Sequence, residues 1–279
     1  MEPRAVIVSG CGINADAELA EAFRRCGAAP DRVHVADLAA EPGRLSGARI
    51  LAFPGGFSFG DHLGSGQVLA LLCRRSLRGP LDDFIADGGL VIGICNGFQA
   101  LARMGLLPGR PGEPWARSVS LVHNASGRFV DEWVPVRFEE RSACLWTAGL
   151  PPCELPVRHG EGRFAAAGEE ALDSLEAEGL VALRYATRPD GSSGNPNGSA
   201  RDIAGVCDPT GRVLGLMPHP EAWLERENHP LRRRAIPGWP SSPGAATPGV
   251  ATPGVTTPGV TTPGLELIAN GVRAARSGS

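Results

Sequence analysis

Leu90-Val91-Ile92-Gly93-Ile94-Cys95-Asn96-Gly97-Phe98-Gln99-Ala100-Leu101-Ala102 is the stretch on which the fold of this chain turns. Its first five residues are an uninterrupted apolar run of strand length, the pattern of a strand covered on both faces. The residues after Cys95 space their apolar side chains as the first turns of a helix do. Gly93-Ile94-Cys95-Asn96-Gly97 therefore reads as a Gly-x-nucleophile-x-Gly elbow, in which the side chain stands on a sharp strand-to-helix turn. Small flanking residues let the two backbones approach. The sulfur then faces the positive end of a helix, where backbone N–H groups favour a negative atom. A buried structural cysteine is the alternative reading of the same residue.

A nucleophilic thiol needs a base, and the chain offers His34, His62, His123, His159, His219 and His229. One is placed better than the rest: Gly211-Arg212-Val213-Leu214-Gly215-Leu216-Met217 reads as a turn and an apolar strand and delivers Pro218-His219-Pro220-Glu221 at its carboxyl end. The prolines keep the backbone extended there, so residues two apart face the same way. Glu221 can then orient the ring nitrogen of His219 that does not face Cys95. Nucleophile, base and orienting carboxylate are all present, although a surface loop can bring such a pair together by accident.

Outward from the elbow, short apolar runs alternate with helical patterns, as in a parallel sheet with crossover helices. Ala5-Val6-Ile7-Val8, Val33-His34-Val35 and Ile50-Leu51-Ala52-Phe53 read as strands. Leu19, Ala22, Phe23 and Cys26, closed by Gly27, read as one face of a helix, and Val68 to Leu72 as the core of another. In such a sheet the active site lies beyond the carboxyl ends of the strands, which brings Phe53-Pro54-Gly55-Gly56 beside Cys95 and His219. From about Val134 the runs shorten, at Val134-Pro135-Val136, Leu155-Pro156-Val157, Leu180 to Leu183 and Ile203 to Val206. Antiparallel ribbons suit these better than further crossovers. The fold class is thus α/β, a flavodoxin-like, mostly parallel sheet flanked by helices with an antiparallel extension.

The chain has 279 residues, 42% of them hydrophobic, enough to bury one large α/β domain spanning 1–279. A formal charge of −3 and the lack of a basic stripe argue against nucleic acid as a partner. Arg232-Arg233-Arg234 reads as a solvated loop. Seven cysteines, at 11, 26, 73, 95, 144, 153 and 207, show neither CxxC metal spacing nor a disulfide framework, so no metal site and a reducing compartment are expected. No apolar run reaches membrane-spanning length and no signal-peptide pattern opens the chain. A cytoplasmic, soluble protein is the expectation. Residues 237–264 carry a Pro/Gly/Thr tract repeating every five residues, which reads as a flexible insertion in a surface loop. Leu265 to Val272 then return as a last helix, with Leu265, Ile268 and Val272 on one face.

Taken together, the elbow and the Pro-His-Pro-Glu turn resemble class I, triad-type glutamine amidotransferases. Four further segments narrow the resemblance to the glutamine amidotransferase subunits of phosphoribosylformylglycinamidine synthase. They are Gly55-Gly56-Phe57-Ser58-Phe59-Gly60-Asp61, Asn124-Ala125-Ser126-Gly127-Arg128-Phe129, His159-Gly160-Glu161-Gly162-Arg163-Phe164 and Asn195-Pro196-Asn197-Gly198-Ser199. The likeness covers residues 4 to about 230 and resumes at the final helix. It departs from the usual pattern at Ser193-Gly194, where an aromatic-Pro pair is common, at Phe59 for Tyr, and at Ala222 for Arg.

The resemblance implies a glutaminase that hydrolyses L-glutamine through Cys95, His219 and Glu221. It implies oxyanion donors at the backbone of Gly56 or Phe57, within the Gly55-Gly56 loop, and at Asn96. By the same likeness Gln99 and the segment holding Asn124, Gly127 and Phe129 would grip the amino-acid end of glutamine. His159 and Arg163 would line the site or meet a partner. No cofactor is implied for this subunit. The partner would be a large synthetase subunit, with or without a small bridging subunit, using ATP and magnesium to make formylglycinamidine ribonucleotide in purine synthesis. Two other readings stay open on the residues alone: a stand-alone cysteine amidohydrolase or peptidase of similar fold, and a non-catalytic regulatory subunit.

Overall fold

A computed structural model describes residues 1–109, 115–231 and 262–278. Its centre is a nine-stranded sheet in the order β2-β1-β3-β4-β11-β10-β9-β6-β7. The strands are β1 (Arg4–Ser9), β2 (Ala29–His34), β3 (Ala48–Phe53), β4 (Leu90–Ile94), β6 (Val130–Phe138), β7 (Cys153–His159), β9 (Val181–Tyr185), β10 (Ile203–Cys207) and β11 (Val213–Leu216). A separate antiparallel pair joins β5 (Val119–Val122) to β8 (Arg163–Ala166). The helices are α1 (Asp16–Arg25), α2 (Val35–Ala40), α3 (Gln67–Ser76), α4 (Arg78–Ala86), α5 (Asn96–Met104), α6 (Glu169–Ala177) and α7 (Pro263–Ser277).

The two halves of the sheet follow from connection length. Strands β2, β1, β3, β4 and β11 are mutually parallel, and α1 and the pair α3–α4 supply the crossovers that parallel neighbours need. Every residue of β4 and β11 is buried, as continuous apolar runs covered on both faces must be. On the far side, β11–β10, β10–β9, β9–β6 and β6–β7 all pair antiparallel. The expected antiparallel extension is therefore continuous with the main sheet and not a ribbon laid beside it. Hydrogen bonding through β10 and β9 carries the edge pair β6–β7 into line with the nucleophile strand.

One expected strand begins earlier and ends one residue sooner than its sequence pattern, at Ala29 and His34. The run Val33-His34-Val35 stops at His34, because the His34 imidazole accepts the Ala36 N–H at 3.2 Å and caps α2, which starts at Val35. The amphipathic pattern of the last helix holds: Leu265, Ile268 and Val272 are all buried.

The end of the repeat tract also differs from expectation. Most of it, with Arg232-Arg233-Arg234, lies outside the described residues, but Thr262, Pro263 and Gly264 belong to the start of α7. Thr262 is buried, accepts the Leu265 N–H at 3.2 Å and donates its hydroxyl to the Trp223 carbonyl. A Cβ added at Gly264 would lie 2.3 Å from the Pro220 carbonyl oxygen, so α7 begins in contact with the turn that carries Glu221. Thr262→Ala, which removes the cap and the bond to Trp223 together, is expected to cost about 1–2 kcal/mol. Thr262→Ser should recover most of it. Denaturant unfolding of the full chain measures both, and an unchanged midpoint for the alanine variant would contradict the packing of this segment.

Candidate active site

Cys95 sits at the junction of β4 and α5 with φ 51° and ψ −104°, a backbone conformation that a non-glycine residue adopts only when its surroundings force it. The forcing contacts are visible on both sides. The Cys95 N–H donates to the Leu216 carbonyl of β11 at 2.8 Å, and its carbonyl accepts the first helical bond from Gln99 at 3.0 Å. Gly97 meets β3 so closely that an added Cβ would lie 1.9 Å from the Phe53 carbonyl oxygen. Glycine is required there, and the elbow read from the sequence is present.

His219 follows β11, its N–H held by the Pro156 carbonyl of β7 at 2.8 Å. Its Nδ1 lies 2.6 Å from the Glu221 carboxylate, with both side chains buried. The route to this contact differs from the sequence expectation. Pro220–Ala222 form a 3-10 turn, so Glu221 reaches the ring by curling back and not by alternation along an extended segment. The Arg158 guanidinium approaches the same Nδ1 at 3.4 Å and also reaches Glu18 at 3.2 Å. At 2.6 Å the Glu221 bond takes the Nδ1 proton, which leaves Arg158 as a neighbouring charge.

The other ring nitrogen, Nε2 of His219, is buried and makes no hydrogen bond among the described residues. Cys95 is its neighbour across Gly55. A Cβ at Gly55 would fall 2.7 Å from the His219 ring and 3.6 Å from Cβ of Cys95. The thiol is turned toward the Arg158 carbonyl at 3.6 Å. Burial alone would lower the His219 pKa, but the Glu221 carboxylate and the Cys95 sulfur outweigh it and lift the value to about 10. His159 moves the other way. Burial, aided by the nearby charge of His219, lowers it to about 4 and keeps it neutral.

The expected oxyanion donors need one correction. The Phe57 N–H is committed to the Gly12 carbonyl at 2.7 Å, which leaves the Gly56 N–H as the donor this loop can offer beside the expected one of Asn96. The residues expected to hold glutamine are more structural than their sequence setting suggested. Asn124 gives both amide protons away, to the carbonyls of Arg128 and His159 at 2.9 Å each, and its oxygen accepts from Gly162 N and His159 Nδ1 at 3.1 Å. Its side chain shapes the loop, and any grip on a ligand falls to the backbone. Gln99 is likewise bound, to Asn96 and to the Glu161 carbonyl. Gly127 lies in open space, and Phe129 is 54% exposed at the rim. Arg163 turns away to the His123 carbonyl at 3.0 Å.

Two neighbours of the site were not visible in the sequence. Arg158 lies beside His219, and Tyr185, the only tyrosine of the chain, is raised in pKa by burial and by the charge of Cys95. Neither belongs to a motif. Each arrives through the antiparallel half of the sheet, which no local spacing foretells. Among the described residues no cluster of His, Cys, Asp and Glu suits a metal ion, and no helix is long and apolar enough to cross a membrane.

Residues 2–245 match the CobB/CobQ-like glutamine amidotransferase domain, and residues 241–265 match six copies of the GLTT repeat. The chain is 39% identical over 235 residues to the phosphoribosylformylglycinamidine synthase subunit PurQ of Methanococcus maripaludis, covering 82% of this chain and 87% of that one. To PurQ of Dehalococcoides mccartyi it is 39% identical over 227 residues, covering 81% and 88%. Among solved structures, PurLQS from Thermotoga maritima superposes with a TM-score of 0.64 at 32% identity, covering 82% of this chain and 92% of that one.

The raised pKa of His219 sets a pH signature. The imidazolium persists below about pH 10 and is lost above it, so kcat/KM for a substrate whose leaving group needs that proton should fall through an alkaline limb near 10. Glu221→Gln removes the charge that lifts the value, so the limb should move toward acid. A pH–rate profile of both proteins checks this, and an unmoved limb would exclude Glu221 as the cause.

Proposed function

The chain belongs to the CobB/CobQ-like glutamine amidotransferase family, and from that premise we propose that it is the glutaminase subunit of phosphoribosylformylglycinamidine synthase, with Cys95, His219 and Glu221 as its catalytic residues. The observation that carries the chemistry is the buried 2.6 Å bond from His219 to Glu221, set beside a cysteine on a strand-to-helix elbow. With the imidazolium held by Glu221, the Cys95 thiolate attacks the carboxamide carbon of L-glutamine. The negative oxygen that develops is met by the backbone N–H groups of Gly56 and Asn96. His219 gives its proton to the departing nitrogen, ammonia leaves, and a glutamyl thioester remains on Cys95. Water then cleaves the thioester, passing a proton back to His219 and releasing glutamate.

Ammonia made in this way serves a second subunit. The name PurLQS, borne by the Thermotoga maritima structure, supports a synthetase partner and a small third subunit for this chain as well. The synthetase consumes ATP with magnesium to convert formylglycinamide ribonucleotide to formylglycinamidine ribonucleotide. This subunit needs no cofactor of its own for the thiol chemistry, and a cytoplasmic location suits a biosynthetic enzyme rich in free thiols. Residues 1–279 form one amidotransferase domain in this reading, with the repeat tract as a loop insertion ahead of α7.

The deciding experiment is Cys95→Ser in the reconstituted complex. Glutamine-dependent synthesis should fall by about a thousandfold or more, because a serine hydroxyl is not ionised by this histidine. Synthesis from added ammonium salt should persist, since the synthetase is untouched. Substantial glutamine-dependent activity in the variant would overturn the role of Cys95, and loss of both activities would point to failed assembly instead.

A further inference from the structure

The loop that offers Gly56 is held in a conformation its own sequence does not favour. Phe59, Asp61 and Leu63 have φ of 54°, 53° and 66°, with Gly60 between them at 67°. Three non-glycine residues in the left-handed region within five positions persist only where outside contacts impose them. On one side the contacts are backbone bonds to the segment after β1: Phe57 N–H to Gly12 O and Phe59 N–H to Cys11 O, both 2.7 Å. On the other side one side chain reaches two points of the loop, while Glu161 and Arg103 hold its far end, accepting from the Ser65 N–H at 3.3 Å and donating to the Ser65 carbonyl at 2.8 Å.

That side chain is the carboxamide of Asn96, the residue after the nucleophile. Its Oδ1 accepts the Ser58 N–H at 3.1 Å, and its Nδ2 donates to Asp61 Oδ1 and to Gln99 Oε1, each at 3.0 Å. The amide orientation follows from the partners. A backbone N–H can only donate, so it faces the oxygen, while the Asp61 carboxylate can only accept. Gln99 is fixed in turn because its Nε2 donates to the Glu161 carbonyl. Asp61 is steadied by the Ser65 hydroxyl, which donates to its second oxygen at 3.0 Å. Asn96 is 1% exposed, so every polar atom of this side chain is used inside the protein.

We propose that Asn96 and Asp61 form a latch that sets the spacing of the two oxyanion donors, making both side chains positioning residues for the attack on glutamine. Asn96 supplies one donor from its own backbone and fixes, through Ser58, the loop that carries the other. The separation of the donors is thereby tied to one residue beside the nucleophile. Opening the latch lets the strained turn relax, and Gly56 moves with it. The donors matter most as negative charge builds on the oxygen, so the loss falls on kcat more than on KM. The proposal rests on the glutaminase reading above.

The test is steady-state glutamate release by the synthetase complex carrying Asn96→Ala, Asp61→Ala, Asp61→Asn or the double alanine variant. Each single alanine change is expected to lower kcat about tenfold or more with KM within about twofold. Asp61→Asn still presents an oxygen to Asn96 and should keep most of the rate. The double variant should be no worse than the poorer single one, as for two residues acting through one bond. Wild-type kcat in Asp61→Ala, a loss in Asp61→Asn equal to that in Asp61→Ala, or losses that multiply in the double variant would overturn the latch. Should Asp61→Ala fail to fold, Ser65→Ala removes only the bond that steadies the carboxylate, and unaltered kcat there would overturn it equally. Labelling of wild-type Cys95 by a chloroketone analogue of glutamine tests the underlying reading by itself, and its absence would sink both.

Discussion

The close approach of α5 to β3 is the constraint on which the site depends. Gly97 admits the Phe53 carbonyl into space that any Cβ would occupy, and this contact lets the chain turn from β4 into α5 within one residue. Cys95 takes up the remaining angle in its unusual backbone conformation. The Leu216 carbonyl of β11 accepts its N–H, so the strand that leads to His219 also steadies Cys95. Strain at Cys95 beside a tightly packed glycine is tolerated because the surrounding strands are fully buried and resist displacement.

Around that junction the electrostatics divide two buried histidines by environment. His219 faces a carboxylate and a sulfur and is held protonated to about pH 10, whereas His159 faces an amide and another imidazole and stays neutral down to about 4. Both rings are buried, so burial alone does not distinguish them. The partner each ring nitrogen finds decides its charge, and hence which one can act as the acid.

Cys95, His219 and Glu221 are legible as a set because Cys95 follows one apolar strand directly, His219 lies just past the end of another, and Glu221 comes two residues later. Strand ends in a parallel sheet converge on one edge, so linear position after a strand carries spatial information. The roles of Asn124 and Gln99 were harder to read. Their motif setting suggests ligand contacts, but each also finds a partner far along the chain, Asn124 at His159 and Gln99 at Glu161, and only the folded chain shows that their amides are already taken. The choice between the Gly56 and Phe57 backbone donors is likewise open in the sequence, since the Gly12 carbonyl that claims the Phe57 N–H belongs to a different loop.

By itself the sequence determined the parallel core, the elbow that carries Cys95, the strand that leads to His219, and the amphipathic face of the last helix. These follow from local rules: apolar periodicity, glycine at crowded positions and the place of a residue just beyond a strand end. Tertiary structure alone decided that the antiparallel strands continue the main sheet, that Glu221 curls back through a 3-10 turn, that Thr262 anchors α7 against the Trp223 segment, and that Arg158 and Tyr185 border the site. Each of these depends on which carbonyl or carboxylate lies opposite a given donor after the chain has closed on itself. Such partners sit far apart in sequence, and no periodicity within one segment encodes them.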